Sequence, residues 1–179
     1  KWGNLFELDK KLLVAFMATE STGINRAKNG AGAIGLMQMT ANAAAESIFK
    51  YKSITRYQLP SEALNFLNKK ASFLTKLSSD ILSSADKTKV NTLLFEPEFN
   101  IVCSCIYMRW LFEKYEYLNK VIIAYNAGAY NSTLRSYSGI TKTDQLINNK
   151  SFSFETRAYL LKILGANGFL DLIIKNNLL

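Results

Sequence analysis

Histidine is missing from this chain of 179 residues. With it go the Ser-His-Asp and Cys-His nucleophile systems, a histidine general base and any histidine-ligated zinc. Cysteine is scarce as well, with only Cys103 and Cys105 present. A separation of two on a helix points them to nearly opposite sides, and two thiols are too few for a structural zinc, so they read as small buried apolar side chains. Proline occurs twice, and no linker, repeat or low-complexity tract divides the sequence. Residues 1–179 therefore read as a single domain. No apolar stretch approaches the roughly 20 residues needed to cross a bilayer. The run Leu12 to Ala18 follows Lys10-Lys11, but Glu7 and Asp9 before it and Glu20 after it do not suit a signal peptide. A targeting segment is thus not expected within this chain.

What is present is a globular composition, 49% hydrophobic and 12% aromatic. The 22 Lys and Arg outnumber the 14 Asp and Glu, for a formal charge of +8. These cations are scattered from Lys1 to Lys175 without a dense stripe, and no nucleic-acid-binding module is recognisable, so no nucleic-acid partner is expected. The excess charge serves solubility, or attraction to a polyanion such as an envelope polymer or a membrane surface.

Helical periodicity dominates and predicts a mainly α fold. Asp9 is positioned to cap a first helix in which Leu13, Phe16, Met17 and Glu20 follow one face. Four glycines between positions 23 and 35 predict tight turns or a small hairpin. Thr40 is expected to cap a helix from about Ala41 to Lys50, and Pro60-Ser61 to open another, unbroken or broken, reaching about Ser83. From Pro97 to about Tyr117 the pattern is apolar almost all round, which predicts a central buried helix. Another helix should begin near Asn119 and end at Gly128 in a left-handed conformation, and a further one should run from a Ser153 cap to Leu164 with Gly165 after it. A last helix is expected over Phe169 to Lys175.

Glu20 is chemically odd, because the spacing puts a carboxylate on the apolar face of its helix, near the C-terminal end. Desolvation and the negative end of the helix dipole both disfavour the ionised form, so a raised pKa is expected. That would suit a general acid, while a glutamate curling out to solvent at a fraying end is the structural alternative. Gly30 to Gly35 spells a literal G-x-G-x-x-G. It is not read as a dinucleotide site, since no strand pattern precedes it and no acidic residue lies about 20 residues further on.

Four fragments then stand in order: Glu20-Ser21 with Asn25 shortly after, Gly35-Leu36-Met37-Gln38, Ala124-Tyr125-Asn126-Ala127-Gly128, and Glu155-Thr156-Arg157-Ala158-Tyr159. Together they resemble the soluble-lytic-transglycosylase-like enzymes of the lysozyme-like superfamily, glycoside hydrolase family 23. The stretch Pro97 to Met108, with Asn100-Ile101 and Tyr107, resembles the central helix of that family. Departures are the longer spacing from Glu20 to Asn25, Thr40-Ala41 after Gln38 in place of a proline-containing pair, and Ala129-Tyr130 after Gly128.

The resemblance implies a lysozyme-like fold with a small irregular or hairpin segment after the catalytic helix. It implies cleavage of the β-1,4 bond between N-acetylmuramic acid and N-acetylglucosamine of peptidoglycan, leaving 1,6-anhydromuramic ends. Glu20 would be the sole acid/base, with no cofactor and no metal. Ser21, Met37, Gln38, Tyr125, Asn126 and Tyr159 would bind substrate, and Gln38 would offer both a donor and an acceptor. Ser104 stands at the family's usual glycine position. Glu155 reads as a favourable charge in a first helical turn rather than a second catalyst. The partner would be peptidoglycan glycan strands and the protein a monomer, acting in the periplasm or cell envelope, or encoded by a phage to attack the wall. Rival expectations are a goose-type-like muramidase that hydrolyses the same bond and an inactive peptidoglycan-binding module.

Overall fold

A computed structural model of the chain describes residues 1–53, 58–137 and 139–175. Among them the regular elements are helices: α1 (Trp2–Leu5), α2 (Lys10–Ser21), α3 (Ala41–Ser53), α4 (Ser61–Thr75), α5 (Ser84–Leu93), α6 (Pro97–Tyr115), α7 (Leu118–Ala127), α8 (Ser132–Ser136), α9 (Thr143–Asn148) and α10 (Phe154–Lys175). No helix among the described residues is long and apolar enough to cross a membrane. The mainly α class predicted from periodicity is the class observed.

The chain gathers into two compact units, the first made of Lys1–Asp9 and Glu20–Trp110, the second of Lys10–Thr19 and Leu111–Leu179. In the first unit α3 buries Ala41, Ala44, Ala45 and Ile48, a spacing that lines one helical face, and it packs against α4 and α5. Tyr51 meets Phe6 edge to face at 6.1 Å, and Trp2 packs on Phe66 at 5.4 Å, which seats α1. The first-unit part of α6 buries Phe99, Asn100, every residue from Val102 to Met108, and Trp110. Both cysteines are free and buried there. Burial pushes both thiols up, that of Cys105 to about 12, which makes them inert packing groups as expected.

The second unit is built around α7, whose residues Asn119 to Ala124 are all buried. Helix α10 packs on α7 and α9 through Thr156, Tyr159, Leu160 and Ile163, again an i, i+3, i+4, i+7 set. Its other side exposes Phe154 and Leu161.

Several boundaries differ from expectation. The helix predicted from Pro60 to about Ser83 has its break at Ala71, one of the two alternatives expected, but ends early, at Thr75. A separate α5 follows, started by Ser83, whose Oγ accepts from Asp86 N at 3.1 Å, because a hydroxyl cap competes with helix continuation. Helix α10 runs straight through Gly165 and Gly168, where a stop was predicted. The roughly 1 kcal/mol penalty of a mid-helix glycine is smaller than the packing of the face beside it. Gly128 does end α7 at positive φ (95°), but its ψ of 144° is extended rather than left-handed helical. The glycine-rich segment, by contrast, follows the tight-turn alternative of the expectation, with isolated antiparallel bridges of Lys28 with Ile34 and Ile34 with Met39.

Candidate active site

In the first unit, Glu20 and Ser21 are the last two residues of α2. Ser21 is buried, donates from Oγ to Leu36 O at 2.8 Å and accepts from Gly23 N at 3.2 Å. Thr22 (φ 52°) and Gly23 (φ 80°) both adopt left-handed backbone, so the chain turns off sharply directly after the helix. Glu20 is thus held half-buried at a helix end that Ser21 ties to Leu36.

Leu36 belongs to a tight turn in which Gln38 N donates to Gly35 O at 3.1 Å, closed by reciprocal bonds between Ile34 and Met39 of 2.9 and 3.0 Å. The turn is fastened from α6 by Asn100, which is fully buried. Asn100 Nδ2 donates to Ile34 O at 2.7 Å and Leu94 O at 2.9 Å, while its Oδ1 accepts from Met37 N at 2.9 Å. This one amide gives Met37 N its partner, adds a second bond to Ile34 O, and ties the turn to Leu94 O. Ser104, four residues along α6, donates from Oγ to Asn100 O at 2.8 Å. Gly35 explains itself here: a Cβ would lie 2.4 Å from both Asn100 Nδ2 and Leu94 O, at a φ of 79° that side chains resist.

Gln38 occupies left-handed backbone at φ 47°. Its Nε2 donates to Ala27 O at 3.2 Å and Gly35 O at 3.1 Å. Both amide hydrogens are therefore spent on backbone carbonyls, which leaves Oε1 as the group to offer, where the family resemblance implied donor and acceptor together. Met37 is only 1% exposed, so it packs beneath the turn rather than presenting a surface. The candidate groups of this unit form a small irregular platform beside the end of α2.

In the second unit, Tyr125 and Asn126 stand half-buried at the end of α7, and Tyr159 is buried on α10. Phe16 of α2 meets both tyrosines edge-on, with ring centroids 4.8 Å from Tyr125 and 6.2 Å from Tyr159. Asn126 Oδ1 accepts from Thr156 Oγ1 at 3.1 Å, linking the third and fourth sequence fragments directly. Ser153 caps α10 as predicted, accepting from Thr156 N at 3.0 Å, and Glu155 lies in the first turn of that helix. After Gly128, Ala129 O accepts from Tyr115 OH at 2.5 Å and the Tyr130 ring is covered by Lys114 Nζ at 3.6 Å. Burial raises the Tyr115 phenol above its usual range, with Arg135 opposing the shift.

Two residues with a clear hand in this geometry were not among the expected site residues. Asn100 carried a polar residue at the start of an otherwise apolar helix, and Thr156 lay inside a quoted fragment without a role. A buried asparagine in an apolar pattern is the available signal in the first case, since such an amide must find partners.

The family model described as Transglycosylase SLT domain matches residues 1–66 and 74–147. Among solved structures, the X-ray structure of an inactive mutant of lytic transglycosylase Slt from Pseudomonas aeruginosa is similar. It shares 20% identity at a TM-score of 0.58, over 93% of this chain and 22% of that one. The chain thus spans about a fifth of the length of that solved chain, and the likeness is one of fold. No curated protein matches the chain.

Proposed function

The chain belongs to the Transglycosylase SLT domain family, and on that premise we propose that it is a peptidoglycan lytic transglycosylase whose acid/base is Glu20. The observation that carries this reading is the anchored end of α2, where Ser21 Oγ binds Leu36 O and so fixes the Glu20 backbone against the Gly35 to Gln38 turn. A reacting carboxyl needs that kind of placement, because proton transfer demands hydrogen-bond reach to the substrate oxygen. The family match takes in residues of both compact units, up to residue 147, which supports reading them as parts of one catalytic domain.

In this reading Glu20 starts protonated and gives its proton to the glycosidic oxygen as the bond to C1 breaks. The 2-acetamido oxygen of the same muramic residue supports the positive charge that develops at C1. Glu20, then ionised, takes the proton of the muramyl C6 hydroxyl while that oxygen bonds to C1, which closes the 1,6-anhydro ring and returns the carboxyl to its starting state. One enzyme carboxylate suffices, so the mechanism stands with substrate-assisted glycosidases rather than with paired-carboxylate ones. Gln38 supplies an acceptor through Oε1, and Tyr125, Asn126 and Tyr159 complete the glycan contacts. Ser21 and Met37 act from behind, as the geometry of the turn suits. Work on the cell wall, in the envelope or from a phage, follows from the substrate.

Glu20→Gln tests the assignment, since it keeps size and hydrogen bonding and removes the proton donor. Release of muropeptides from purified peptidoglycan should fall by about a hundredfold to ten-thousandfold, the usual scale for a general acid/base. Undiminished release by Glu20→Gln would show that another group is the catalyst.

A further inference from the structure

Helix α10 sends a chain of two hydroxyls to the Asn126 amide. Ser153 donates from Oγ to Thr156 Oγ1 at 2.9 Å, and Thr156 donates from Oγ1 to Asn126 Oδ1 at 3.1 Å. Ser153 Oγ also accepts from Thr156 N at 3.0 Å. The bond donated by Ser153 sets the direction of the chain, because it leaves the single hydrogen of Thr156 Oγ1 for Asn126. Ser153 spends its hydrogen on Thr156, Thr156 passes its own to Asn126, and the amide must answer with its oxygen. An asparagine amide without such a partner has two opposite orientations of similar energy, which exchange its acceptor and its donors. Here one is selected, and Nδ2, the arm turned away from Thr156, has no partner among the described residues. Thr156 is 6% exposed, so water competes poorly for the relay.

We propose that Ser153 and Thr156 are positioning residues that hold the Asn126 amide with Nδ2 as a fixed donor to an acceptor oxygen of an amino sugar in the glycan strand. The inference rests on the reading of Asn126 as a glycan-binding residue and assigns what that reading leaves open, the polarity of the contact and the groups that enforce it. The hydrogen-bonding part of each side chain is separable from its structural part. Thr156→Val keeps volume, β-branching and the N–H that Ser153 caps, and loses only the hydroxyl. Thr156→Ser keeps the hydroxyl.

The test uses the full chain with purified peptidoglycan, follows kcat and KM for muropeptide release, and records melting temperature and a ¹⁵N-correlation spectrum of the Asn126 side-chain amide. Thr156→Val should lower kcat/KM by about tenfold, the worth of one well-placed hydrogen bond, with Thr156→Ser within about twofold of wild type. In an Asn126→Ala background, Thr156→Val should cost nothing further, because the relay then has no amide to orient. The Asn126 NH₂ signals should shift in Thr156→Val and stay in place in Thr156→Ser. A Thr156→Val enzyme equal to an active wild type, an equal loss in the Asn126→Ala background, or unmoved Asn126 signals would each overturn the relay alone. A wild type that releases no anhydromuropeptide would instead overturn the functional reading, and with it the glycan role of Nδ2, even where the amide signals shift.

Discussion

The turn from Ile34 to Met39 and the α7–α10 pair both carry candidate site residues, yet they are built on different physics. In the turn, position is set by single atoms: two hydrogen bonds between Asn100 and the turn, one from Ser21 and the space left by a missing Cβ at Gly35. In the helical pair, position is set by repetition, with Val121 to Ala124 buried on α7 and a regular stripe from Thr156 to Ile163 on α10. A stripe distributes its stabilisation over many contacts, so its members can repack around a change. The turn has less reserve, because Met37 N and Leu36 O depend on single side-chain partners, Asn100 and Ser21.

That contrast is open to substitution. In the helical pair, Phe16→Ala removes a fully buried ring that touches both Tyr125 and Tyr159, and should cost about 3–5 kcal/mol in denaturant unfolding. A loss well below that range would mean that the pair repacks even around its largest shared contact. In the turn, Gly35→Ala should cost about 2–5 kcal/mol, the sum of left-handed backbone strain and a clash with a backbone oxygen that cannot step aside. Since that substitution adds a single methyl group, a cost comparable to losing a whole phenyl ring is what separates the two regions. A cost under about 1 kcal/mol would show that the turn yields, and the contrast would fail. Gln38→Ala should be milder, about 1 kcal/mol, because its two donors are only partly buried and the main-chain bonds of the turn remain. The same variant should lose muropeptide release out of proportion to its stability, which a purely structural glutamine would not do.

The two regions were also unequally legible in the sequence. Helices α2, α3, α6, α7 and α10 follow from their 3.6-residue apolar period, and the Thr40 and Ser153 caps were readable because hydroxyls before an apolar run have a defined job. The short helices α1, α8 and α9 were not foreseen, since four to six residues carry no usable period. The long α10 was cut at Gly165 on propensity alone, although the packed stripe beside it outweighs one glycine. In the turn, the four-residue fragment Gly35 to Gln38 was recognisable, but its fastening was not. The partners Asn100 and Ser21 lie 63 and 15 residues from the groups they hold, and no local pattern announces so long a reach. For the same reason, the spending of both Gln38 donors on Ala27 and Gly35 could be seen only in three dimensions.

The central claim is that the bond is broken by internal transfer to the C6 hydroxyl, with Glu20 handling both protons. Mass spectrometry of purified peptidoglycan digested by the wild-type chain tests it most directly. The account predicts muropeptides ending in 1,6-anhydromuramic acid, one water lighter than their hydrolysed counterparts. Products ending in reducing muramic acid would contradict it and make the protein a muramidase.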